Sequence, residues 1–208
     1  MTIIRPDVSF DMDASTFDFP WALYDRIQLC KQLPDHVRHT LQDINAWTSI
    51  ALRDAFDVSD DERAHIQKII EDEYQTQDFF WELKLYPGIL DMLREVETFA
   101  DTTFLTTPSK RNCGSEYGKR HSVIKHCGEQ YNLKVTQTGD KTRYRSDVHV
   151  DDNPTITGKY NPIWKQLLVD QPHNHSDTKL RRIYLDQVDK RAGIIKHTLE
   201  EHWRYDRI

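Results

Sequence analysis

The chain has 208 residues, of which 38% are hydrophobic and 30% charged, with a formal net charge of −6. This length suits one α/β domain with a modest insertion. The acidic balance argues against binding to nucleic acid through a general basic surface, so an anionic small molecule would need a focused basic pocket. Three cysteines without a Cys-x-x-Cys pair indicate a reducing compartment, and cytoplasm is the expected location. No stretch approaches the roughly 18–20 apolar residues of a membrane span, so we expect no membrane partner.

The first predicted element is a short strand that ends at Phe10. It is followed by Asp-Met-Asp at residues 11–13 and a turn-prone Ala-Ser-Thr. Apolar residues then recur near helical spacing, which predicts a helical insertion over residues 17–77. Within it, Ser59 and Glu62 predict a capping box at the start of a helix.

Strands and helices alternate in the rest of the chain. The predicted helices are Ile89–Thr98, Glu116–Cys127 and Leu180–Tyr205, and the predicted strands are Thr102–Leu105, Leu133–Gln137, Asp147–Val150 and Trp164–Asp170. This alternation predicts an α/β fold of three layers, with a mostly parallel sheet covered by helices on both faces. Ligands of such folds bind beyond the carboxyl ends of the strands.

Polar residues cluster at these predicted strand ends. They are Asp11, Asp13, Thr106, Thr107, Asp151 and Asp152, with Lys141 in an adjoining loop. Mg²⁺ prefers oxygen ligands and usually keeps several waters, so carboxylates from different strand ends suit it. We therefore expect Asp11 and Asp152 to bind Mg²⁺.

The same residues form a set suited to phosphoryl chemistry. The Asp11 carboxylate is a candidate nucleophile toward phosphorus, and Asp13 is a candidate general acid and base. Thr106 and Thr107 offer hydrogen bonds to phosphoryl oxygens, and Lys141 offers a positive charge. Asp-x-Asp alone is more often a solvated turn, so the ordered set carries the prediction of a magnesium-dependent phosphomonoesterase.

Four segments resemble the motifs of the haloacid dehalogenase superfamily. They are Asp-Met-Asp after a strand, Phe-Leu-Thr-Thr-Pro, Asp-Lys-Thr and Val-His-Val-Asp-Asp. Residues 79–83, 86–91 and 138–142 more narrowly resemble the 5'(3')-deoxyribonucleotidases, and the likeness spans about residues 8–170. The resemblance implies a Rossmann-like core, residues 1–16 and 78–208, with a helical cap at 17–77.

The resemblance also implies roles for the acidic residues. Asp11 would be the nucleophile and a magnesium ligand, and Asp13 would be the acid and base, with its backbone carbonyl also on the metal. Asp152 would be the other protein ligand, with Asp151 beside it as an orienting partner.

Substrate contacts follow from the same resemblance. Thr106 and Lys141 match residues that hold phosphate in the family, and Phe19 stands where the family places an aromatic residue against the substrate. Arg111 falls in the register of a further phosphate-contacting lysine, and an arginine can grip phosphate with two hydrogen bonds. The chain departs from the family at residues 14 and 15, which are Ala-Ser where Gly-Val is usual.

The implied activity is dephosphorylation of nucleoside monophosphates through an aspartyl-phosphate intermediate. The same chemistry on a sugar phosphate or a polynucleotide end is an alternative, as is a degenerate member that binds nucleotide without turnover, which the Ala-Ser departure suggests. The family often dimerises, so a homodimer stays open. His173 and His175 read as loop residues rather than zinc ligands, because no Cys or further His stands at ligand spacing.

Overall fold

A parallel sheet forms the centre of the computed structural model. The structure describes residues 5–35, 58–76, 78–109, 112, 114–177 and 179–205. The strands in these ranges are β1 (Asp7–Phe10), β2 (Asp101–Thr106), β3 (Val135–Gln137), β4 (Val148–Asp151), β5 (Lys165–Val169) and β6 (Arg181–Ile183). Their order is β3-β2-β1-β4-β5-β6, and each neighbouring pair is parallel. The predicted α/β fold with a mostly parallel sheet is confirmed.

Strand β1 lies in the interior of the sheet between β2 and β4. Phe10 at its end is in register with Phe104 of β2 and Val150 of β4. Val8, Ser9 and Phe10 of β1 are buried, so both faces of the strand are covered, as expected for a parallel sheet between helices. The carboxyl ends of β1, β2 and β4 therefore meet at one edge, and the residues that follow them become neighbours.

Helices pack on the sheet. Those in the described ranges are α1 (Phe19–Leu29), α2 (Asp60–Tyr74), α3 (Phe79–Glu82), α4 (Ile89–Val96), α5 (Ser115–Cys127) and α6 (Arg191–Tyr205). Helix α4 packs against α6, and α3 packs against α5. The buried stripe of α4 gives the reason, because Ile89, Met92, Leu93 and Val96 recur at helical spacing. No helix of the described ranges combines the length and apolar character needed to cross a bilayer.

The predicted insertion between β1 and the rest of the core contains α1 and α2. These helices pack together, burying Leu23 and Ile27 of α1 and Ile66 and Ile70 of α2. The side chain of Ser59 accepts the backbone N–H of Glu62, so the predicted cap of α2 is present. Residues 36–57 of the predicted helical insertion lie outside the described residues.

The C-terminal segment differs from the predicted single helix Leu180–Tyr205. Residues 181–183 form β6, which pairs with β5 and places Ile183 beside Val169, and helix α6 begins only at Arg191. Apolar residues at 180, 183 and 185 fit a short strand as well as a helix, so periodicity alone did not separate the two. Pairing with the open edge of β5 decides for the strand. The predicted strand Leu133–Gln137 likewise begins later, at Val135, after a 3-10 segment.

The turn after Asp13 has an unusual backbone conformation. Ala14 has a φ of +56°, which places it in the left-handed region, and within the described residues it is the one non-glycine residue with positive φ. A Cβ atom disfavours this region by roughly 1–2 kcal/mol. The chain therefore holds strain directly beside the cluster of acidic residues.

We expect Ala14→Gly to raise the free energy of unfolding by about 0.5–1 kcal/mol, because glycine removes the strain but adds entropy to the unfolded chain. Urea denaturation of both proteins measures this change. Ala22→Gly, in the interior of α1, is the matched control and should lower the same free energy by about 0.5–1 kcal/mol. Destabilisation by both substitutions would show that the turn at Ala14 is not strained.

Candidate active site

Acidic residues from different strand ends converge in space. Asp11 follows β1, and its backbone N–H donates to the carbonyl of Val150 in β4 over 2.8 Å. Asp151 ends β4, and Asp152 comes next. Carboxylate oxygens of Asp11, Asp151 and Asp152 all lie within 4.8 Å of one another and are largely buried. Parallel pairing of β1 and β4 thus produces a compact cluster of negative charge.

The ammonium group of Lys141 lies inside this cluster. Its Nζ donates to Asp11 Oδ1 over 2.5 Å and to Asp151 Oδ2 over 2.7 Å. Lys141 begins a one-turn 3-10 helix, which the Asp140 side chain caps by accepting the N–H of Thr142. Burial alone would lower the pKa of Lys141, but the two carboxylates outweigh burial and raise it. The lysine therefore stays charged and bridges the two strand ends.

The clustered carboxyl groups respond differently to burial. Burial raises the pKa of Asp11 to about 8, against the opposing effect of Lys141. Burial acts in the same direction on Asp151, but Lys141 and His149 outweigh it and lower the pKa to about 2. The pKa of Asp152 is raised, again mainly by burial. Asp151 is therefore ionised at neutral pH. Full ionisation of Asp11 and Asp152 requires additional positive charge close to their carboxyl groups.

A second lysine, Lys119, also reaches the site. Its Nζ donates to Asp13 Oδ2 over 2.6 Å, to Thr106 Oγ1 over 2.9 Å and to the carbonyl of Thr107 over 2.7 Å. Its side chain is 1% exposed. Thr106 ends β2, so Lys119 ties the acidic turn after β1 to the end of the neighbouring strand.

Sequence reasoning missed Lys119 and assigned a basic contact to Arg111, which lies outside the described residues. The missed signal is the helical stripe of α5, where Ser115, Gly118, Lys119 and Ser122 are buried at helical spacing. A lysine on the buried face of a helix is rare unless it has a charged partner. The position of Lys119 on a buried helix face could therefore have indicated a site residue even though it belongs to no sequence motif.

Asp152 is held from two sides. Ser15 Oγ donates to its Oδ1 over 3.1 Å, and His173 Nε2 lies 3.0 Å from its Oδ2. His175 Nε2 lies instead 3.3 Å from Asp170 Oδ2. The serine of the Ala-Ser departure therefore donates a hydrogen bond to the Asp152 carboxylate.

The donor set fits a hard divalent cation. The carboxylates of Asp11, Asp151 and Asp152 supply only oxygen atoms, which is the ligand type such cations prefer. Both oxygens of Asp151 already accept hydrogen bonds, Oδ2 from Lys141 and His149 and Oδ1 from the N–H of Asn153. Oδ1 of Asp13 is buried without a hydrogen-bond partner. Asp152 has two such partners, Ser15 at Oδ1 and His173 at Oδ2, against three for Asp151. The oxygens of Asp11, Asp152 and the Asp13 turn are therefore the better candidates to hold the cation.

A cavity of about 940 Å³ opens above this cluster. Its walls include Asp11, Lys119 and Lys141 of the core and Phe19 and Tyr74 of the inserted helices. The Phe19 ring centroid lies 5.9 Å from that of Tyr74, in a group of packed aromatic rings. The cavity thus joins a charged floor to an aromatic wall, an arrangement suited to a molecule with an anionic group and a flat apolar part.

Burial raises the pKa of Asp11 to about 8, so between about pH 4 and pH 8 the native state keeps a proton that the unfolded chain has already released. Stability therefore falls as the pH rises through that window. With both proteins measured in the absence of divalent metal, we expect Asp11→Asn to unfold at a higher urea concentration than the parent. Its advantage should be small near pH 4 and grow to roughly 3–5 kcal/mol above pH 8, because each unit of the pKa shift corresponds to about 1.4 kcal/mol. Asp91→Asn, at an exposed position of α4, is the control. A loss of stability in Asp11→Asn that does not depend on pH would contradict the raised pKa of Asp11.

The chain is similar in sequence to proteins of one named activity. A protein provisionally named 5'(3')-deoxyribonucleotidase from Bordetella bronchiseptica is 27% identical over 179 residues, 85% of this chain and 89% of the relative. The mitochondrial 5'(3')-deoxyribonucleotidase of mouse is 31% identical over 105 residues, 49% of this chain and 48% of the relative. No family model matches the chain.

The fold is also shared with solved structures. The magnesium-bound YfnB of Bacillus subtilis, provisionally assigned as a haloacid dehalogenase hydrolase, superposes with a TM-score of 0.55 at 13% identity, over 94% of this chain and 98% of that one. At this identity the likeness concerns the fold. Together with the sequence relatives, it confirms the predicted resemblance to the 5'(3')-deoxyribonucleotidases of the haloacid dehalogenase superfamily, and with it the prediction that the chain is a phosphoric monoester hydrolase.

Proposed function

We propose that the chain is a magnesium-dependent nucleotidase that removes the phosphate from nucleoside monophosphates, with deoxyribonucleotides as the preferred class. The observation that carries this proposal is the charged floor of the cavity, where Lys141 and Lys119 flank Asp11 and Asp13. The names of the sequence relatives support the nucleotide. The aromatic wall around Phe19 supports it as well, since a base offers a flat surface for such rings.

We further propose that residues 1–16 and 78–208 form the catalytic core and that residues 17–77 form a cap. Phe19 at the start of α1 then contacts the nucleoside part of the substrate. Cytoplasmic location and a homodimer stay predictions, as does a role for Arg111 in phosphate binding.

The first chemical step transfers the phosphoryl group to Asp11. Its carboxylate oxygen attacks phosphorus as the bond from phosphorus to the ester oxygen breaks, and Asp13 gives a proton to the leaving alkoxide. Thr106 and Thr107 donate hydrogen bonds to phosphoryl oxygens, and Lys141 balances the charge of the nucleophile and the phosphoryl group. The product of this step is an aspartyl-phosphate and a free nucleoside.

The second step releases phosphate. Asp13, now ionised, accepts a proton from a water molecule whose oxygen attacks phosphorus, and the bond to Asp11 breaks. Bound by Asp11, Asp152 and the Asp13 backbone carbonyl, Mg²⁺ would supply positive charge that offsets repulsion between carboxylate and phosphate. Asp151 keeps Lys141 in place during both steps.

The protein with Mg²⁺ should release phosphate from dUMP and dTMP, and Asp11→Asn should lower kcat by at least about 10³-fold, because the nucleophile is lost. A colorimetric phosphate assay measures both. Equal release by the two proteins would contradict the assigned nucleophile. Sugar phosphates and phosphorylated oligonucleotide ends in the same panel separate the alternative substrates, and nucleotide binding without release would favour a degenerate protein.

We expect Lys119→Met to lower kcat/KM about 10²-fold to 10³-fold, because it removes a buried positive charge from the phosphoryl site. Lys125→Met, on the exposed face of the same helix, is the matched control and should keep the parent value. Steady-state kinetics with dUMP compares them. Parent-like kinetics in Lys119→Met would show that Lys119 has only a structural role.

A further inference from the structure

A fully buried histidine lies behind the charged cluster. His149 is in β4, two residues before Asp151, so both side chains point to the same face of the sheet. Its Nε2 lies 2.9 Å from Asp151 Oδ2, and its Nδ1 lies 2.8 Å from Ser9 Oγ in β1. The ring of Trp164 packs against it at 5.0 Å between centroids. His149 is absent from the lining of the cavity described above, so any role in the chemistry acts through Asp151.

The hydrogen bonds fix one tautomer of this ring. A carboxylate only accepts hydrogen bonds, so Nε2 carries the hydrogen and donates it to Asp151. Nδ1 then accepts the hydroxyl hydrogen of Ser9, and Ser9 Oγ accepts that of Ser146, 2.8 Å away. Burial lowers the pKa of His149, which keeps the ring neutral. The result is a one-directional chain of hydrogen bonds from Ser146 to Asp151.

Such a polar chain is costly in the centre of a sheet. The flanking positions of the two strands, Val8, Phe10, Val148 and Val150, are buried apolar residues. A buried polar side chain is tolerated when its hydrogen bonds are satisfied, and a fully connected network fixes a single arrangement of its members. Here the member at the end of the network is Asp151, whose other partner is Lys141.

We propose that His149 is a positioning residue for phosphoryl transfer. It holds the Asp151 carboxylate in the rotamer that accepts Lys141, and the lysine is thereby held with its Nζ against the Asp11 carboxylate. This role rests on the proposed function of the site. Without the His149 donor, Oδ2 of Asp151 keeps only Lys141, and the N–H of Asn153 at Oδ1 is the one contact besides the lysine that holds the carboxylate. Its rotamer, and with it the position of the flexible lysine side chain, is then less firmly fixed.

The decisive comparison uses His149→Leu and His149→Gln, measured with dUMP and Mg²⁺. Leucine removes the donor to Asp151 but keeps an apolar side chain, whereas glutamine retains an N–H group near the position of Nε2. We expect His149→Leu to lower kcat about 10-fold to 100-fold with KM within about 2-fold of the parent, and His149→Gln to recover at least about a third of the lost activity.

Two further measurements separate positioning from general stability. Thr102→Val removes a buried hydroxyl of β2 that bonds Glu97, away from the site, and should reduce stability while kcat is unchanged. Mass spectrometry after brief treatment with an amine-acylating reagent reports how firmly Lys141 is held. His149→Leu should label at Lys141 several times faster than the parent, and glutamine should restore slow labelling.

The labelling measurement does not depend on turnover. A parent protein that releases no phosphate would overturn the proposed function, whereas equal labelling of Lys141 in the parent and His149→Leu would overturn the positioning role. Parent-like kcat in His149→Leu, or a loss of kcat that glutamine does not reduce, would also overturn it. Faster labelling in the leucine variant together with the expected loss of kcat would support both.

Discussion

The hydrogen bonds of Lys141 to Asp11 and Asp151 are the interactions on which the site depends. Parallel pairing of β1 and β4 brings carboxylates together that would repel one another if left alone. An uncompensated buried charge costs several kcal/mol, so the cluster requires cations held within it. Lys141 compensates the two strand ends and Lys119 compensates the turn at Asp13. An incoming phosphate needs the same positive charges. The two lysines therefore stabilise the folded site and would also bind the substrate phosphate.

Sequence reasoning predicted the sheet and its acidic edge because both follow from local patterns. Short apolar strands ending in aspartate define where carboxylates lie once a parallel sheet is assumed. Lys119 escaped because its role depends on how α5 faces the sheet, which no motif near Thr106 records. Strand β6 escaped because its three residues gain their structure from pairing with β5. Contacts between distant segments of the chain thus determine both the role of Lys119 and the formation of β6. The central part of the insertion lies outside the described residues.

The Ala-Ser departure has a physical interpretation that the sequence did not offer. Ala14 accepts a left-handed conformation that glycine adopts more easily, while Ser15 donates a hydrogen bond to Asp152. The turn thus keeps the conformation that glycine favours, at a cost in strain, and adds a contact to a candidate metal ligand. Proteins commonly tolerate a strained backbone at functional sites, where it lowers stability but holds the site residues in position. The departure therefore argues for an adapted site more than for a degenerate one.

The central claim is that Asp11 becomes covalently phosphorylated, and trapping that species tests it most directly. With p-nitrophenyl phosphate, whose leaving group departs without a proton, Asp13→Asn should still form the intermediate but hydrolyse it slowly, because the attacking water has lost its general base. After a rapid acid quench of this variant with the phosphate-labelled ester and Mg²⁺, mass spectrometry should find a hydroxylamine-sensitive phosphate on the peptide that contains Asp11. Phosphate release in the parent with no trapped label, or label on another residue, would contradict the account.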